Sequence, residues 1–198
     1  MTDTVAILRK ALIAPGHGSS DFDLNPEMVL PKGRKLRPAG VLIAVDLTGE
    51  TPHVILTKRS STLKHHPGQI SFPGGKQEET DADVTAAALR EADEEIGLPA
   101  GLPQVLGTLP IHETVTGFLV TPVLAILTDP FDTVADPGEV EEVFHVPLTH
   151  LLNPENYIIQ SRRWRGAWRY FFTVPYGPYY IWGATARMLR GLAARMET

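Results

Sequence analysis

The stretch ALREADEEIGL, residues 88–98, gathers Glu91, Asp93, Glu94 and Glu95 into the end of a predicted helix. Like charges three and four apart on a helix repel, and a helix C-terminus disfavours anions. Glu91, Glu94 and Glu95 stand at i, i+3 and i+4, so their side chains share one face. Such a face is either a solvated acidic surface or a platform for a cation. Hard cations such as Mg²⁺ favour carboxylate oxygens and keep several waters. A cation held here would relieve the crowding, grip phosphate oxygens and make a bound water acidic enough to attack. Arg90 is i,i+4 from Glu94 and can neutralise one charge, not three. The preceding Phe72-Pro73-Gly74-Gly75 supplies flexible backbone whose carbonyls can point at the same patch.

The elements that must position this patch are legible around it. Residues 83–96 read as a helix, capped by Asp81 or Asp83 and ended by Gly97, with Pro99 just beyond. Leu89, Ala92 and Ile96 form a separate apolar face that should pack on a sheet. Residues 60–82 form a long connection broken by Pro67, Gly68, Pro73, Gly74 and Gly75, and loops of that length are usually functional. Before it, 39–47 and 53–59 read as strands joined in a hairpin by Thr48-Gly49-Glu50. After the helix, 104–114, 118–127, 143–148 and 168–174 read as strands, with a short helix at Thr149–Asn153 and a helix over 181–196. At the N-terminus a short amphipathic helix over 3–13 is followed by a loop or arm over 15–38. We therefore expect an α+β fold, with residues 1–36 as helix and arm, 37–198 as the main domain, and one compact domain overall.

Composition narrows the function classes. The chain has 198 residues, 43% hydrophobic and 21% charged, with a net charge of −5. That balance is ordinary for a globular protein and argues against a general nucleic-acid or membrane-surface binder. There is no cysteine, which removes disulfides, thiolate zinc sites and cysteine nucleophiles. No apolar run reaches the roughly 18 residues of a membrane span, and the expected location is the cytoplasm. Residues 162–171, RRWRGAWRYF, interleave arginines with aromatics, as some nucleic-acid binders do. The same alternation fits a hairpin turning at Gly166, and no nucleic-acid partner is expected.

With Gly75 ahead of it, Arg90-Glu91-Ala92-x-Glu94-Glu95-x-Gly97-Leu98 resembles the Nudix box at every fixed position of its second half. The first half departs: Gly75 to Arg90 is 15 residues, one more than the general pattern, and Asp81 is the nearest candidate for its first glutamate. Upstream, ILTKRSSTLKHHPGQISFPGG, residues 55–75, is similar to the additional signature of coenzyme A pyrophosphatases in that family. Leu56, Thr57, Arg59, Ser60, Gly68 and Phe72–Gly75 fit; Ile55 replaces a leucine and Lys64 an arginine. That subfamily also carries the one-residue expansion.

The resemblance implies a Nudix-type α/β/α sandwich with a mixed sheet between helices. It implies Mg²⁺- or Mn²⁺-dependent hydrolysis of the pyrophosphate of coenzyme A and its derivatives to 4′-phosphopantetheine and 3′,5′-ADP, with another nucleoside diphosphate derivative such as ADP-ribose or NADH, or an inactive nucleotide-binding module, as the alternatives, and homodimers are common among its members. Glu91, Glu94 and Glu95 are the expected metal ligands and catalytic carboxylates, with the Gly75 carbonyl as a further ligand and Arg90 orienting a carboxylate. Arg59, Lys64, Lys58, His66 and Ser71 are the candidate substrate-binding residues, alongside His65, because coenzyme A is strongly anionic and Arg and Lys suit phosphate. Glu139 and Glu142 are candidates for an additional acid or base. Tyr176, Tyr179, Tyr180 and Trp182 either shape an adenine or pantetheine pocket or, as we expect, pack in the core or at a dimer contact.

Overall fold

The computed structural model describes residues 2–28, 33–64, 66–164 and 166–196. The chain opens with helix α1 (Thr2–Ile13) and a two-residue strand β1 (Ser19–Ser20). Strands β2 (Arg37–Asp46), β3 (His53–Arg59), β4 (Ile70–Ser71) and β5 (Gly74–Lys76) lead to helix α2 (Val84–Ile96). Then come β6 (Gln104–Thr108), β7 (His112–Glu113), β8 (Phe118–Leu127) and β9 (Val140–Pro147), and the short α3 (Leu148–Leu152). The hairpin β10 (Ile158–Trp164) and β11 (Ala167–Thr173) precedes the last helix, α4 (Gly183–Met196).

The main sheet runs β1-β7-β8-β2-β3-β4, with β5 pairing β2, β6 pairing β8 and β9 pairing β3. It is mixed: β2 and β8 are parallel over Arg37–Asp46 and Phe118–Leu127, whereas β3 pairs antiparallel with β9. The predicted hairpin between β2 and β3 is present only at its closed end, Val45–Val54 and Asp46–His53. Beyond it the strands part, and β5 takes the place on β2 opposite Ala39–Val41.

Strand alternation divides the core into two layers. Leu42, Ala44, Ile55, Val123 and Ala125 pack under Ala88, Ala92 and Ile96 of α2. Ile43, Val45, Leu56 and Leu124 face Leu8 of α1 and Ala186, Leu189 and Leu192 of α4. Helices therefore cover both faces, the expected α/β/α sandwich. Burying these side chains contributes about 1.5–3 kcal/mol for each large one. Among the described residues no helix is long and apolar enough to cross a membrane. The arginine-aromatic stretch forms the β10–β11 hairpin, paired from Ile158–Thr173 to Trp164–Ala167; Arg165 lies outside the described residues.

Candidate active site

Helix α2 starts where Asp83 accepts the Ala86 amide at 2.8 Å and stops at Gly97, whose φ of 68° is the left-handed conformation that closes a helix. Of the two possible caps, Asp83 fills the role and Asp81 is used elsewhere. The helix lies close on β2 because residue 40 is a glycine: a β-carbon there would run into the Val84 carbonyl and reach within 3.1 Å of Ala88 Cβ. Strand β5 is bonded to the same stretch of β2. The Gly74–Gly75 backbone is thus pinned beside the acidic half of α2.

Glu95 is 3% exposed. Its Oε2 accepts the Gly74 amide at 3.2 Å, and its Oε1 is 3.8 Å from Arg59 Nη1. Burial, reinforced by the charges of Glu91 and Glu139, pushes its carboxyl up to about 8 against the opposing Gly74 amide and Arg59. Glu91 is also raised, first by burial and then by the charges of Glu94 and Glu139, with Arg90 acting the other way. Glu91 faces Gly75 closely: a β-carbon on Gly75 would fall 2.5 and 2.6 Å from its two carboxylate oxygens.

Arg90 organises the acidic end. Its Nε and Nη2 donate to the two oxygens of Asp81 at 2.9 and 3.0 Å, its Nη1 to Glu91 at 3.0 Å and Glu94 at 2.9 Å, and its Nη2 to the Lys76 carbonyl at 3.3 Å. The hydrogen bond from Arg90, then the Glu78 amide, holds the Asp81 carboxyl below the usual range. Asp81 stands six residues after Gly75. It is the acidic partner of Arg90, with aspartate where the family pattern has glutamate.

The three glutamates are not preassembled around one point. Among the described residues no group of three or more His, Cys, Asp or Glu side chains is in place to hold a metal ion. The cause is visible: Arg90 engages Glu91 and Glu94, while Glu95 turns to the Gly74 amide. The donor set still fits a hard divalent cation. Every side-chain donor is a carboxylate oxygen, the residue facing Glu91 is a glycine, and burial and like charge leave Glu91 and Glu95 poorly compensated. A Gly75→Ala variant is expected to fold, with a loss of about 1–3 kcal/mol from overpacking. It should lose divalent-cation affinity by at least tenfold, read by titration of the folded protein.

A cleft of about 310 Å³ opens beside Gly74 and Gly75. Its floor is mostly apolar, with Val41, Phe72, Phe118, Trp182 and Met188, and Arg59, His66, Ser71, Lys76 and Arg169 stand on its walls. The structure thus brings Arg59, His66 and Ser71 to one cavity with the glycine strand. His66 takes a positive φ of 56° in the preceding loop; His65 lies outside the described residues. Lys58 and Lys64 are elsewhere. Alternation turns Lys58 away from Arg59, and its Nζ donates to Glu141 at 2.6 Å. Lys64 is exposed on the loop and does not line the cleft.

The same parity separates the two outer glutamates. Glu142 follows Phe144 onto the α4 side of β9 and accepts Tyr179 Oη at 2.5 Å, while Tyr179 stacks on Phe144 at 3.7 Å between centroids. Glu139 comes before the strand, where its charge reaches Glu91 and Glu95. Its carbonyl accepts the Ser60 amide at 2.8 Å. Sequence reasoning missed Arg169 and Asp21 as cleft residues: Arg169 is one of several arginines in the arginine-aromatic hairpin, Asp21 comes from the N-terminal arm, and no local pattern brings the two together.

An acidic helix clamped by one arginine, over a glycine strand in a sandwich of this topology, defines a class, and the chain belongs to the Nudix family. The NUDIX domain is matched by residues 36–165. Among curated relatives, the Enterobacter protein described as an uncharacterized Nudix hydrolase, NudL, is 41% identical over 160 residues, covering 81% of this chain and 83% of that one. The NudL protein of Cronobacter sakazakii is 41% identical over 177 residues, covering 89% and 92%. A crystal structure of a MutT/nudix family protein from Enterococcus faecalis shares the fold with a TM-score of 0.53 at 14% identity, covering 88% of this chain and 67% of that one. The protein is accordingly a Nudix hydrolase, a pyrophosphohydrolase. Such enzymes act on small-molecule nucleotide derivatives and generally use divalent metal ions.

Proposed function

We propose that the chain hydrolyses the pyrophosphate of coenzyme A and its thioesters, with Mg²⁺ or Mn²⁺, to 4′-phosphopantetheine and 3′,5′-ADP. The observation that supports this best is that the coenzyme A-type segment ahead of the glycines lines the cleft. Arg59, His66 and Ser71 stand on the wall of a largely apolar cavity that begins at Gly74 and Gly75. That combination suits a molecule with a strongly anionic centre and a long uncharged arm.

Glu91, Glu94 and Glu95, with the Gly75 carbonyl, would hold the cation. When bound, it neutralises phosphate charge and acidifies water. The chain's own residues do the rest. Arg59 sits beside Glu95 and on the cleft wall, so it can meet a phosphate oxygen next to the reacting centre. Arg90 sets the positions of Glu91 and Glu94 from behind. Glu95, buried beside the Gly74 amide, would hold the cation in its ionised form and help to place the attacking water, and Glu139, whose charge reaches Glu91 and Glu95, is the candidate for an additional acid or base. The absence of cysteine and the net charge of −5 suit a cytoplasmic enzyme without a nucleic-acid partner; a homodimer, common in the family, is part of the same reading.

Purified protein with coenzyme A and Mg²⁺ should yield the two named products, identified by mass. No cleavage of coenzyme A, with rapid cleavage of ADP-ribose or NADH, would replace the substrate and keep the reaction class. Metal-independent binding without turnover of any of these would make the chain a nucleotide-binding module.

A further inference from the structure

Arg169 belongs to β11, far in sequence from the glycine loop, yet it stands on the wall of the same cleft. Its side chain is 18% exposed, and its Nη2 lies 3.2 Å from Asp21 Oδ2. Asp21 comes from the arm that precedes β2. Its carboxylate also accepts the Val115 amide at 2.9 Å and lies 3.3 Å from Nε2 of the fully buried His112. Burial raises the Asp21 carboxyl, but His112, the Val115 amide and Arg169 outweigh it and hold the group below the usual range.

A second tie lies one residue along the strand. Buried Asn25 donates to the Tyr170 carbonyl at 2.9 Å and accepts the Tyr170 amide at 2.8 Å. The arm therefore grips β11 at two successive residues. Polar groups buried in this way cost stability unless all are satisfied, and what the network holds in place is a cation on a ligand cavity. One carboxylate engages only part of a five-donor guanidinium. The cleft thus has cationic side chains at three places, Arg59 beside Glu95, Lys76 at the end of the glycine strand, and Arg169 where the hairpin meets the arm.

We infer that Arg169, positioned by Asp21 and Asn25, binds a phosphate monoester of the substrate distinct from the pyrophosphate that is cleaved. This rests on the coenzyme A reading, whose substrate carries such a group on the ribose. The test compares kcat/KM for coenzyme A and for 3′-dephospho-coenzyme A in the wild type, R169A and R169K. The wild type should prefer coenzyme A. R169A should lose roughly tenfold or more of that preference through KM rather than kcat, as expected for one charged hydrogen bond. R169K keeps the charge but not the fork and should fall between; it carries the same comparison if R169A melts below the assay temperature. Equal wild-type rates on both compounds, or the wild-type ratio retained in the variants, would overturn the inference and leave the proposed function standing. Cleavage of neither compound by the wild type would overturn both.

Discussion

Glu95→Gln is expected to lower kcat by about 10²–10³-fold while leaving the metal-free fold as stable as the wild type or more so. The two effects have one cause. Among the described residues Glu95 is buried with the Gly74 amide alone within hydrogen-bond distance and Arg59 3.8 Å away, too little to compensate a carboxylate at 3% exposure. Glutamine keeps the acceptor for Gly74 and removes the charge. The pH dependence gives an independent check. The carboxyl rises from 4.5 to about 8 on folding, so the folded protein holds this proton more tightly than the unfolded chain. That contribution is complete below about 4.5 and is lost as pH rises through about 8. In chelator, the wild-type melting temperature should therefore decline across this window, and the variant should show a flatter profile. Added Mg²⁺ should stabilise the wild type most at the alkaline end, where the carboxylate is free of its proton, and Glu95→Gln much less. A variant with wild-type kcat would remove Glu95 from the machinery.

Arg90→Lys should cost nearly as much activity as Arg90→Ala, about 10–100-fold each. Lysine keeps the charge but is a single point of contact, whereas Arg90 divides its donors among Asp81, Glu91, Glu94 and the Lys76 carbonyl. No ammonium can make the paired bond to Asp81 and still reach both glutamates. Asp81→Ala should act in the same direction, since it removes the acceptor of Nε and one of the two acceptors of Nη2. If the two act as one unit, the Arg90→Ala/Asp81→Ala double variant will be little worse than Arg90→Ala. Additive losses would mean that Asp81 contributes through something other than Arg90. Circular dichroism and melting curves should show α2 still formed, because its Asp83 cap and apolar face are untouched.

Local signals in the sequence reached far, and their limits follow from distance and parity. The α2 boundaries were readable because cap, apolar spacing and closing glycine all lie within the helix's own neighbourhood. Helical spacing also placed Glu91, Glu94 and Glu95 together, but it carries no information on burial: Glu94 has a side chain 61% exposed, and Glu95 lies under the Gly74 strand. Strand neighbours were harder. The hairpin reading for β2 and β3 was right at two residue pairs, whereas the main partner of β2 is β8. Glu139 and Glu142 look alike in a run of acids; a strand that begins at Val140 sends Glu142 to the far face. Lys58 and Arg59 part for the same reason. Arg169 was marked in the sequence just as one of several arginines among aromatics, because its place on the cleft depends on an arm and a hairpin meeting.

The parallel ladder between β2 and β8 joins residues 81 positions apart along its whole length. Closing so large a loop costs chain entropy before any of its contacts repay it. The glycine strand, the acidic helix and the 60–73 connection all lie within that loop. A nascent chain that has emerged only as far as α2 therefore holds every box residue and still lacks a site. Divalent-cation affinity should appear abruptly during refolding, together with burial of the β2–β8 pair, rather than growing with helix content.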